Sequence, residues 1–116
     1  TCCDPLYRKA LRVSVGAVLK LPYARSGTAS DMIRALHAAG FSLWGLSPAG
    51  QTDIRTIVAE ARMALLTGTE GEGLPAAILS SIRTARIPQA PGMDSLNAAT
   101  ATGIALFSIA SVMGRV

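Results

Sequence analysis

The chain has 116 residues, 50% of them hydrophobic and 16% charged, a balance that excludes intrinsic disorder and fits one domain with a real core. Eleven Lys and Arg against seven Asp and Glu leave a net charge of +4, which suits a polyanion such as RNA without requiring one. Cys2 and Cys3 are adjacent and are the only cysteines, which excludes a disulfide framework and a metal quartet and points to a reduced, cytoplasmic setting.

In chain order, Thr1-Cys2-Cys3-Asp4-Pro5 has no initiator methionine and opens into folded-looking sequence, as a fragment would. Asp4 or Thr1 is placed to cap a helix starting near Pro5, with Leu6, Lys9, Ala10 and Val13 at loose helical spacing. Arg8, Lys9 and Arg12 share one face of it, either a solvated face or a contact for a polyanion. Residues 15–23 (VGAVLKLPY) read as a short strand ending at Pro22. Ser26-Gly27-Thr28 is a turn. Thr28, or alternatively Ser30, caps a second helix with Met32, Ile33, Leu36 and Ala39 on one face, and Gly40 stops it.

A strand at residues 41–46 (FSLWGL) is broken by Ser47-Pro48-Ala49-Gly50. A short helical stretch follows at 53–59, then the apolar run 62–67 (RMALLT), a pattern typical of a strand covered on both faces. A glycine-rich loop at 68–73 leads into a helix from Leu74-Pro75 to about Ile82. Residues 85–88 (ARIP) form a last short strand, and Ser95 caps a long helix through Met113. Strands alternating with helices predict an α/β fold, a parallel sheet with helices on both faces. Residues 95–114 carry no charged side chain, nearly the length of a membrane span. The many alanines, serines and threonines there favour instead a helix buried in a protein interface, since small residues let backbones approach closely. His37 has no visible partner, and Trp44 and Phe41 are read as core.

Two segments carry candidate chemistry. In the first, the run 62–67 enters a loop containing Gly68, Gly71 and Gly73, which lets backbone groups approach a ligand. The carboxyl ends of parallel strands are where such a ligand sits. A phosphate cradle is excluded, because the Gly-Lys-Ser/Thr ending is missing and Glu70 and Glu72 would repel phosphate. A positively charged ligand fits better. In the second segment, Ser95 stands at a helix cap and Asn97 inside the first turn, together with that turn's free N–H groups.

Gly68-Thr69-Glu70-Gly71-Glu72-Gly73-Leu74 resembles the second motif of SpoU RNA ribose 2′-O-methyltransferases. Ile87-Pro88, followed by Ser95-Leu96-Asn97 and an alanine-rich helix, resembles their third. Residues 12–18 (RVSVGAV) are similar to the segment before these motifs, so the resemblance covers most of the chain. It implies a SPOUT fold over residues 1–116, with a carboxyl-terminal trefoil knot. It also implies S-adenosylmethionine as cofactor, a homodimer joined through the carboxyl-terminal helix, tRNA or rRNA as substrate, and neither metal nor membrane. By position, Leu46 and Ser47 would lie near the adenine. Thr67, Gly68, Gly73, Ile87 and Leu96 would give backbone and apolar contacts, and Asn97 would reach the cofactor as well. Glu70, Ser95 and Asn97 would face the reacting region as catalytic residues. The family's first motif, an arginine with an asparagine, would precede Thr1; the alternative is therefore an incomplete remnant that binds cofactor or RNA.

Overall fold

The computed structural model describes residues 4–25, 27–69, 72–93 and 96–116. Of the expected features, Thr1 and Ser26 lie outside them. Helix α1 spans Arg8–Val13 and begins later than expected. Its cap position is Tyr7 with no side-chain bond, because Asp4 instead accepts from Leu6 N–H at 2.9 Å and closes a separate turn. The expected strand at 15–23 does not form. Val15 has φ 53°, a left-handed conformation hostile to a β-branched residue in a strand, and is 92% exposed. A 3₁₀ turn at Ala17–Leu19 follows, and this apolar stretch pairs with no strand among the described residues.

Helix α2, Ala29–Ala38, is capped by Thr28 rather than Ser30. The Thr28 hydroxyl accepts from Asp31 N–H at 3.1 Å, while the Asp31 carboxylate accepts from Thr28 N–H at 3.2 Å. This reciprocal pair satisfies two donors that the first turn would leave orphaned. Gly40, at φ 82°, ends the element. Of its expected apolar face only Ile33 is buried; Met32 is exposed.

Strands β1 (Ser42–Leu46), β2 (Thr52–Asp53), β3 (Met63–Leu66) and β4 (Arg83–Arg86) form one sheet in the order β2-β4-β1-β3. Every pairing is parallel, as the alternation of elements predicts. Several boundaries differ from expectation. The stretch 53–59 holds only a 3₁₀ turn, Ile54–Thr56, preceded by the two-residue β2. β3 lies at a sheet edge and is half-buried; its apolar run does not mark a strand covered on both faces. Helix α3 is one turn, Ala76–Leu79, and β4 starts two residues before the expected strand. Pro88 lacks the N–H a ladder needs, so pairing uses Arg83, Thr84 and Ala85 instead.

Helix α4, Ala98–Val112, packs on the sheet. Its Ala105 and Ile109 join Trp44, Ala85, Ile54 and Ile57 in the core, with Leu46, Leu65 and Ile87 packed around them. By strand alternation Leu43 and Gly45 face the other way, where a Cβ on Gly45 would stand 2.8 Å from Ile82 Cδ1 and 3.2 Å from Leu74 Cδ1. Trp44 is core, as read from the sequence, and the Arg83 guanidinium lies 4.4 Å from its ring centre. No helix among the described residues is long and apolar enough to cross a membrane.

The β2 end is pinned by an ion pair, Arg55 Nη2 to Asp53 Oδ2 at 2.6 Å. The Arg55 side chain, helped by its backbone N–H, holds the Asp53 pKa down from 3.8 to about 2. A carboxyl depressed on folding stabilises the fold above its unfolded pKa, and this contribution is lost as pH falls from about 4 through 2. In a carboxyl-detected NMR titration Asp53 is expected to titrate near 2. Arg55→Ala should return the midpoint towards the ordinary value.

Candidate cofactor-binding site

At the carboxyl ends of β4, β1 and β3 the chain encloses an open cavity of about 370 Å³, within the range of small-molecule sites. Four stretches build it. Leu46 and Ser47 leave β1; the Ser47 N–H donates to Ala85 O at 2.9 Å, which ties this exit to β4. Thr67, Gly68 and Gly73 come from the loop after β3, Ile87 follows β4, and Leu96 and Asn97 stand at the start of α4. All the residues expected to contact a cofactor thus line one cavity, although they span residues 46–97 of the chain.

The loop after β3 folds back on itself. Gly73 N–H donates to Thr69 O at 3.0 Å, and the two residues form an antiparallel bridge. Gly73 sits at φ 72°, which glycine adopts without strain. Gly68 lies so close to the Gly73–Leu74 peptide that any Cβ would overlap Gly73 C and Leu74 N. Two glycines therefore let the strand exit and the loop return pass in van der Waals contact.

Of the expected catalytic residues, Glu70 and Ser95 lie outside the described residues. Asn97 is described, and its local role differs from expectation. It is itself the cap of α4: its Oδ1 accepts from Ala99 N–H at 2.9 Å and Thr100 N–H at 3.2 Å. The cap expected at Ser95 is thus two residues further on, where the side chain reaches the first free N–H groups. Asn97→Ala is expected to cost about 1 kcal/mol of stability in urea unfolding, and Asn97→Asp almost nothing, since Asp caps equally well.

Among the described lining residues Glu72 alone carries a charge, so the cavity favours a cation or dipolar donor over a phosphate. Leu74, Leu79, Ile87 and Leu96 give it apolar walls, and Thr67, Thr69 and Thr102 bring hydroxyls. The Thr102 hydroxyl donates to Ala98 O at 2.7 Å. Among the lining residues not singled out from the sequence is Gln89, whose side-chain oxygen is buried without a hydrogen-bond partner among the described residues. Nothing in its local sequence marks it; only the fold turns it inward. No cluster of His, Cys, Asp and Glu able to hold a metal occurs among the described residues.

Comparison with known proteins adds lineage to this geometry. A tRNA/rRNA methyltransferase of Mycobacterium tuberculosis, itself uncharacterized, is 44% identical over 91% of this chain and 38% of its own length. The AdoMet-bound rRNA methyltransferase from Sinorhizobium meliloti is 40% identical and superposes with a TM-score of 0.85 over 94% of this chain and 42% of that one. The SpoU methyltransferase AviRb from Streptomyces viridochromogenes, in complex with AdoMet, is 29% identical with a TM-score of 0.83, over 95% and 44% respectively. The chain thus spans about two fifths of the length of these three proteins. Residues 1–107 match the SpoU rRNA Methylase family as a whole, and the chain belongs to that family.

Proposed function

We propose that the cavity binds S-adenosylmethionine and that the chain serves methyl transfer to a ribose 2′-hydroxyl of tRNA or rRNA. One observation carries the reading: the glycine-rich loop after β3 and the Leu96-Asn97 start of α4 line a single cavity together with the β1 exit. The donor set fits such a ligand. Apolar walls suit a purine and the carbon chain flanking the sulfonium, the buried Gln89 oxygen awaits a donor, and Glu72 favours a cationic ligand over an anionic one.

When bound, the cofactor supplies an electrophilic methyl group on a sulfonium. The chain's own residues must orient, exclude water and handle the hydroxyl proton, since an unperturbed hydroxyl is a poor nucleophile at neutral pH. Gly68 and Gly73 bring backbone donors and acceptors close, and Leu46 and Ser47 take the adenine end. Asn97, held by its capping bonds, presents its amide to the reacting region, and Glu70 and Ser95 are proposed as the other catalytic residues. A second copy docking on α4 belongs to the same reading, supported by the apolar Leu106 and Phe107, which are 53% and 66% exposed on a helix that buries only Ala105 and Ile109. The contact of Gly50 with the Ala85 and Arg86 backbone supports a threaded, knotted carboxyl-terminal part. Adjacent cysteines and an RNA substrate point to the cytoplasm.

Calorimetric titration with S-adenosylmethionine, and tritiated-methyl transfer to bulk tRNA and rRNA, test the reading. Transfer should yield alkali-resistant dinucleotides, because a methylated 2′-oxygen cannot attack the adjacent phosphate. Absence of cofactor binding at millimolar concentration would sink the proposal; binding without transfer would favour a remnant. Asn97→Asp, which retains the cap but loses the amide donors, should keep stability and reduce transfer at least tenfold.

A further inference from the structure

Gln89 lies three residues beyond the end of β4 and lines the cavity, and its Oε1 is buried with no hydrogen-bond partner among the described residues. A buried acceptor left unpaired is unfavourable, and native proteins keep few of them without reason. The sheet order decides what it can meet. β4 is the neighbour of β1, whereas the loop bearing Glu72 leaves β3 on the opposite side of β1. Gln89 thus stands on the flank of Leu46 and Ser47 away from the acidic loop.

The cofactor laid across these strand ends offers a carboxylate, an ammonium, two ribose hydroxyls and the adenine's exocyclic amine. Its carboxylate would be repelled by an amide oxygen. Its ammonium is better served by Glu72 on the β3 side. The ribose hydroxyls and the aromatic amine are the donors that an uncharged oxygen satisfies without burying a charge, and the amine belongs to the adenine end, assigned to Leu46 and Ser47 beside Gln89. We propose that Gln89 is a specificity-determining residue whose side-chain oxygen accepts a hydrogen bond from the exocyclic amino group of the cofactor's adenine. This rests on the cofactor reading given above and deepens it.

The test uses the full chain and two ligands, S-adenosylhomocysteine and its counterpart with hydrogen in place of the purine 6-amino group. Isothermal titration should show a preference for the amino form. In Gln89→Met, of similar length but without an acceptor, that preference should narrow roughly 5- to 30-fold, with the counterpart bound about as before. Gln89→Glu keeps acceptor oxygens and should keep the preference. An unchanged preference in Gln89→Met overturns the assignment, as does equal weakening of both ligands. If Gln89→Met binds neither, Gln89→Glu decides: a preserved preference supports the role and a lost one overturns it. Should the unmodified chain bind neither ligand, the cofactor reading itself fails, an outcome distinct from binding without discrimination.

Discussion

Gly68→Ala is expected to abolish measurable cofactor binding, weakening it roughly 100-fold or more, while costing about 1–3 kcal/mol of stability. The added methyl would fall on Gly73 C and Leu74 N. These are backbone atoms, which cannot swing aside as a side-chain tip can. The loop must therefore move as a body, carrying Gly73 and Leu74 away from the cavity they line. Titration calorimetry gives the affinity and urea unfolding the stability. Gly103 provides the contrast, since a Cβ there meets nothing within 4 Å. Gly103→Ala, in the interior of α4, should raise stability by about 0.5–1 kcal/mol and leave binding intact. If Gly68→Ala bound as tightly as the parent chain, the close passage of strand exit and loop return would have no functional weight.

Trp44→Ala should cost about 3–5 kcal/mol, a large share of the roughly 5–15 kcal/mol that holds a domain together. Trp44 is 6% exposed at the centre of β1, in the cluster that joins α4 to the sheet through Ala105 and Ile109. Its loss would leave a cavity under the helix whose first turn forms one wall of the site. It would also remove the ring on which Arg83 rests. Thermal unfolding should fall by well over ten degrees, with cofactor affinity declining as α4 loosens. Trp44→Phe, which refills most of the volume, should recover more than half of the loss. A loss below about 1 kcal/mol for Trp44→Ala would show that α4 does not depend on this cluster.

Legibility in the sequence followed how local each signal was. The Thr28 cap could be read because its partner, Asp31, lies three residues away. The apolar run around β1 likewise declared a strand. Residues 15–23 misled because an apolar stretch says nothing about whether a neighbouring strand exists, and Val15 turns left-handed instead. β2 escaped notice because two residues carry no period; it exists only through its pairing with Ala85 and Arg86. Ser95 and Asn97 are both good capping residues, and local sequence could not choose between them. The cavity was foreseen better than the elements, since its residues were placed by motif order. Gln89, which no motif marks, became visible only when the β4 exit was folded beside β1.

Strand order also bears on how the chain reaches this state. β4 is the last strand made, yet it fills the lane between β1 and β2. Thr52 and Asp53 therefore have no ladder to join until residues 83–86 arrive. The segment before them presses Gly50 onto the Ala85 backbone, so it closes only over a strand already seated. Assembly cannot proceed from one end of the sheet to the other as the ribosome delivers it. The central slot has to be kept open while some thirty further residues are synthesised, and such long-range insertion makes for slow folding.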